Sequence, residues 1–185
     1  KRDRDNDRVQ MVNRAQTVLE EYAGALAREK TARLEKALVR RFNDLSRKGD
    51  LLDGVTIDPE TFKITLQRQD QPFPLSRLSA GERQIFAMAI MWALREVSGL
   101  PMPLVIDAPL GRLDSAHRLS TIRRYFPRVS HQVILLVTDT EIDERITPLI
   151  KPATSHIYDL DYDQAEGKTI ARKREIPCVD ARVGR

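Results

Sequence analysis

The first ~48 residues carry apolar side chains on a narrow helical stripe. Val12, Ala15, Leu19, Tyr22 and Leu26 step by three and four, the spacing of a coiled-coil seam. Leu34, Leu38, Phe42 and Leu45 form a second stripe out of register with the first, a stutter that locally relaxes supercoiling. No proline occurs before Pro59, so the pattern predicts one long helix over about 7–48, stopped by Gly49. A helix apolar on so narrow a stripe needs a partner helix.

The period then changes. Val55–Asp58 and Thr61–Arg68 read as strands separated by Pro59-Glu60, with Phe62, Ile64 and Leu66 alternating with polar positions. Gly81–Val97 reads as a helix apolar almost all round, from Ile85 to Leu94, which must be buried against a sheet. Leu104–Ile106, ending at Asp107, and Gln132–Val137 read as buried strands. Helices are expected at about 115–125 and 141–150, the latter closed by Pro152, with a last strand at His156–Leu160. Strands alternating with helices imply an α/β fold with a parallel sheet.

Composition narrows the class. Of 185 residues, 41% are hydrophobic and 31% charged, and no apolar run approaches the roughly 18 residues of a membrane span. Cys178 is the only cysteine, which excludes an intrachain disulfide framework and fits a reducing cytoplasm. The opening Lys-Arg-Asp-Arg-Asp, without an initiator methionine, suggests a piece of a longer protein. Net charge is +4 but uneven. Residues 1–50 carry 13 Lys/Arg against 9 Asp/Glu, residues 51–167 carry 12 against 16, and residues 168–185 carry 6 against 2. The basic ends suit a polyanion such as DNA; equally, they suit a solvated helix face and a basic tail. Three segments result: a coiled-coil stub (1–48), an α/β lobe (49–163) and a basic tail (164–185).

Four constellations carry chemistry. Ser79 and Glu82, in Leu78-Ser79-Ala80-Gly81-Glu82, fit a capping box at the start of the buried helix. The same hydroxyl, the bare Gly81 and the free N–H groups also make a phosphate site. Asp107 ends an apolar strand, where it either caps a turn or holds the Mg²⁺ of a nucleotide. Gly111-Arg112-Leu113-Asp114 follows, and the second apolar strand ends in Thr138-Asp139-Thr140-Glu141. A P-loop needs G-x-x-x-x-G-K-[ST]; Gly167-Lys168-Thr169 is preceded by Tyr162 where the first glycine belongs, so the match is fortuitous. The phosphate-cradling loop must then lie on another segment. His117, His131 and His156 show no ligand spacing, and Trp92 reads as core.

Taken in order, these motifs resemble the C-terminal lobe of an ABC ATPase head, and a coiled coil entering just before it resembles the SMC-like branch. Leu78–Gln84, Ile106–Ser115 and His131–Asp143 are similar to the DndD family, the SMC-like ATPases of bacterial DNA phosphorothioate modification; the likeness spans about residues 50–160. It implies that Ser79 and Gly81, in the loop with Ala80 and Glu82, contact the γ-phosphate of ATP held by the opposite head. It implies that Asp107 supports Mg²⁺ and that Asp114 sits in the loop coupling the two sites. The implied partners are an N-terminal P-loop lobe, a second head in an ATP-dependent dimer, DNA, and DNA-modification enzymes. Two departures stand out. Ala108 occupies the usual place of the catalytic Glu, and Asp139 that of the switch His. Alanine cannot polarise water, and an ionised Asp donates no hydrogen bond. Hydrolysis then either uses another carboxylate, with Asp139 and Glu141 as the candidates, or is slow. The rival readings are a DNA-repair ATPase of the same branch and a DNA-binding scaffold with a degenerate ATP site.

Overall fold

The computed structural model describes residues 2–46, 51–143 and 145–174. Two compact units divide the chain, Lys1–Glu141 and Ile142–Arg185. The first opens with α1 (Arg2–Leu45), 44 uninterrupted residues. Its two stripes behave differently. Val12, Leu19 and Tyr22 are each more than 60% exposed, whereas Ala37, Leu38, Phe42 and Leu45 are buried. The C-terminal third of α1 is thus core, and the seam before it is uncovered. The expected stop at Gly49 lies outside the described residues.

Strands β1 (Gly54–Ile57), β2 (Ile64–Arg68) and β3 (Gln71–Phe73) form an antiparallel sheet with β2 in the centre. The second strand starts later than its alternation suggests. Asp58 accepts the N–H groups of Glu60 and Thr61 at 2.9 and 2.8 Å, and Phe62 adopts φ 55°, so the chain is still turning there. Phe62 is consequently exposed rather than half-buried. The pattern of apolar positions does not predict the short β3. Gln69 and Asp70, both at positive φ, form a two-residue turn of the type I′ kind, and Pro72 needs an edge strand because it has no N–H to donate. The sheet is fastened to α1 by polar contacts. Glu35 accepts the Ile57 N–H at 2.7 Å, and the Asn43 amide brackets the Leu52 backbone at 2.9 and 3.3 Å.

Helix α2 (Ala80–Ser98) ends in a left-handed Gly99, whose N–H bonds the Arg95 carbonyl. Ile85, Phe86, Met88, Ala89, Trp92 and Ala93 are buried. Its main neighbour is α1 rather than the sheet that its all-round apolarity suggests, and Met91 and Leu94 remain open at 47% and 44% exposure. Phe42 meets Phe86 edge-on at 5.9 Å, and the Arg41 guanidinium lies 4.2 Å over Trp92 while bonding Glu96 and Asp44.

Strand β4 (Leu104–Asp107) pairs in parallel with β5 (Val133–Leu136), from Leu104↔Val133 to Asp107↔Leu136. The crossover contains α3 (Ser115–Ser120), a π-turn (Thr121–Tyr125) and α4 (Phe126–Val129). The single helix expected at 115–125 thus widens midway. Pro127 follows directly, and its ring would clash with the carbonyl four residues back in ordinary α geometry. Tyr125 is fully buried against Trp92, and burial pushes its hydroxyl pKa upward. The two strands are not buried as their sequences suggest: Val105 is 57% exposed, and Ile134, Leu136 and Val137 are about 40% exposed. An apolar face of the parallel pair is open.

The second unit contains α5 (Thr147–Ile150), a 3-10 turn (Lys151–Ala153), β6 (Ile157–Asp163) and β7 (Lys168–Arg174). The helix expected over 141–150 shrinks to four residues, because the Asp143 carboxylate draws in the N–H groups of Arg145 and Ile146, both at 2.9 Å. β6 pairs antiparallel with β7 rather than extending a parallel sheet, and β7 falls in the stretch read as tail. Gly167-Lys168-Thr169 turns this hairpin at Gly167 φ 61°, which has nothing of a P-loop about it. No helix among the described residues is long and apolar enough to cross a membrane.

Phe42 anchors the α1–α2 core. Phe42→Ala should cost about 3–5 kcal/mol, read as a lowered urea midpoint at constant m.

Candidate nucleotide-facing site

The capping box forms as the sequence predicts. Ser79 Oγ accepts the Glu82 N–H at 3.2 Å, and the Glu82 carboxylate accepts the Ser79 N–H at 2.8 Å. Ser79 and Ala80 are exposed, so the start of α2 faces solvent. The Ser79 oxygen is used as an acceptor, which leaves its proton to donate. A hydroxyl donor beside the first N–H groups of a 19-residue helix is a fitting cradle for a phosphate oxygen.

This helix tip meets the loop that follows β4. A Cβ on Gly81 would lie 3.4 Å from the Arg112 carbonyl oxygen, in ordinary van der Waals contact, so the helix tip and this loop are direct neighbours. One turn further, the Gln84 side chain donates to the Pro109 carbonyl at 2.6 Å. Nothing in the motif spacing assigns Gln84 this role. The available signal is its position, at the boundary between the polar first turn Glu82-Arg83 and the apolar run that starts at Ile85.

Asp107 ends β4 with its side chain exposed. The ladder continues one residue further, with the Ala108 N–H bonding the Leu136 carbonyl at 2.9 Å, after which Ala108 turns into the left-handed region at φ 46°. Pro109 and Leu110 are fully buried and anchor the loop. No group of three or more metal-ligating side chains occurs among the described residues. A nucleotide-bound Mg²⁺ takes only one or two carboxylates besides phosphate and water, so a single Asp107 fits that role.

The loop ends at Asp114, which caps α3. Its carboxylate accepts the His117 N–H at 2.8 Å and lies 3.0 Å from the His117 ring. The backbone N–H of His117 is the main reason that the Asp114 pKa sits below its usual value. His117, which shows no ligand spacing in the sequence, is thus the partner of Asp114.

The two remaining candidates differ sharply. Asp139 is exposed, three residues beyond Leu136, the register partner of Asp107. Glu141 is only 4% exposed. One of its oxygens accepts the Leu110 N–H at 2.8 Å and the other the Thr138 N–H at 3.3 Å.

With this geometry, the chain has the fold of the C-terminal lobe of SMC ATPase heads carrying the start of a coiled coil. An SMC ATPase solved in work on ATP-driven dimerisation and DNA-stimulated activation superposes with TM-score 0.58 at 12% identity, covering 82% of this chain and 89% of that one. The Smc head domain of Pyrococcus yayanosii with its coiled coil and joint gives 0.56 at 15% identity over 78% of this chain. The Smc head domain of Pyrococcus furiosus with an extended coiled coil, bound to the C-terminal domain of ScpA, gives 0.54 at 13% over 89%. The chain spans 27% and 42% of those two Pyrococcus structures. No protein-family profile and no curated protein sequence matches it.

Asp114→Ala should destabilise the chain by about 1 kcal/mol through loss of the cap. Because the folded carboxylate titrates below its unfolded value of 3.8, its contribution is complete above that pH and is lost as pH falls through the lowered value. The gap between parent and variant in thermal midpoint should therefore close in acid.

Proposed function

We propose that the chain is the C-terminal half of an SMC-like ATPase head that binds and hydrolyses ATP together with an N-terminal P-loop lobe. The observation that carries this reading is the open apolar face of β4–β5, formed by Val105, Ile134 and Leu136, which the register places on one side of the pair with Asp107. An exposed apolar patch of this kind calls for a packed partner, and a lobe holding the phosphate loop supplies what this chain lacks. The uncovered Val12–Leu19–Tyr22 seam likewise calls for the returning helix of a coiled coil.

In this head, Ser79, Ala80, Gly81 and Glu82 form the helix tip that meets the γ-phosphate of ATP bound by a second head. Asp107 supports Mg²⁺, which would neutralise charge on the transferring phosphoryl group. Asp114 shapes the loop between the two sites. Asp139, exposed at a strand end, is the carboxylate free to orient water, since Ala108 is not. The similarity of Leu78–Gln84, Ile106–Ser115 and His131–Asp143 to the DndD family supports a role in DNA sulfur modification, in the cytoplasm, with DNA and modification enzymes as partners. The solved SMC relatives, with their ATP-driven dimerisation and bound ScpA domain, support dimerisation on ATP and a protein partner.

Ala108 favours a second reading, a scaffold that closes on ATP without turning it over. The head assembled with its P-loop lobe distinguishes the two. ATP-dependent dimerisation with turnover is the expected result. Ser79→Arg should abolish dimerisation, and Asp107→Ala should lower turnover at least tenfold. Dimerisation without turnover selects the scaffold; ATP binding and dimerisation untouched by both substitutions refutes the head.

A further inference from the structure

Glu141 is a buried carboxylate. Among the described residues no Lys, Arg or His lies within ion-pair distance of it, and such a group is costly unless its oxygens are well hydrogen-bonded. Both oxygens are engaged, and their partners belong to different loops. The Leu110 N–H lies in the turn after β4, 31 residues away in sequence, and the Thr138 N–H lies in the turn after β5. The Glu141 N–H itself bonds the Thr138 carbonyl at 3.1 Å, which closes its own turn. On the near side of the β4 loop, a Cβ on Gly111 would sit 3.5 Å from the same carboxylate oxygen. From the other side, Gln84 of α2 grips the Pro109 carbonyl.

We infer that Glu141 is a positioning residue that clamps the Leu110–Asp114 loop to the Asp139 turn, so that the two move as one piece. The geometry is unsuited to a general base. Oxygens already accepting two backbone N–H groups in a dry site are turned away from substrate water. A clamp explains why a charged side chain is kept there. Only a carboxylate accepts from two amides at once through a pair of oxygens, whereas the amide of Gln presents one acceptor and one donor.

The inference rests on the head reading for its catalytic consequence but not for its structural one, so two measurements separate them. The first is amide hydrogen exchange on the 185-residue chain. Glu141→Ala should speed exchange at Leu110 and Thr138 about tenfold or more and leave Val55–Ile57 unchanged. Glu141→Gln should speed Thr138 and protect Leu110 better than Ala does. Should Glu141→Ala fail to fold, the Gln variant carries this arm. Unaltered exchange at both amides overturns the clamp. The second is ATP turnover by the head assembled with its P-loop lobe. The clamp predicts that Glu141→Gln keeps turnover within about tenfold of the parent, with the pH profile unmoved, whereas Asp139→Asn loses it. If Glu141→Gln dimerises on ATP yet is inert, Glu141 is the base and the clamp is wrong as the account of its role. If the parent dimerises on ATP but shows no turnover, the scaffold reading holds and exchange alone decides the clamp.

Discussion

The parallel pairing of β4 with β5 is the constraint on which the site depends. Its register sets Asp107 against Leu136, and the extra bond from Ala108 to Leu136 carries the alignment past the last strand residue. Two loops far apart in sequence therefore leave the sheet side by side. The Glu141 carboxylate spans the gap that this alignment creates, and the Gln84 amide ties the same β4 loop to α2. A slip of one residue would exchange the two faces of β5 and carry the Asp139 turn out of line.

The packing of α1 on α2 is a second, independent layer. Leu38, Phe42 and Leu45 on one helix and Phe86, Met88, Ala89 and Trp92 on the other make a dry seam. The Arg41–Trp92 contact and the Arg124 bond to the Asp44 carbonyl fasten the end of α1 to the same core. The helix bearing Ser79 and the helix that leads into the coiled coil thus share one core.

Where local chemistry decided the structure, the sequence was readable. The capping box at Ser79 and Glu82 needs only residues three apart, and the three-and-four spacing of the apolar stripe on α1 is intrinsic to a helix. The apolar run ending at Asp107 was likewise enough to place β4. Reading failed where the outcome turned on side chains meeting from a distance or on turn geometry. The Asp58 turn delayed β2, the Gln69-Asp70 turn made an unforeseen β3, and Asp143 cut a helix to one turn. Burial was overestimated for β4 and β5, because an apolar sequence states that a face needs covering without saying which chain covers it. For the site, the motif positions were legible but not the division of labour. Asp139 and Glu141 are two residues apart, and only the fold reveals that one is open to solvent and the other enclosed.

Ala108 holds a backbone conformation that an L-residue with a Cβ enters at a cost of roughly 1–2 kcal/mol, and that glycine enters freely. A longer side chain grafted there would leave the turn pointing along the left-handed direction, not along the strand. Placing a glutamate at position 108 is thus a matter of main-chain direction as well as of one side chain.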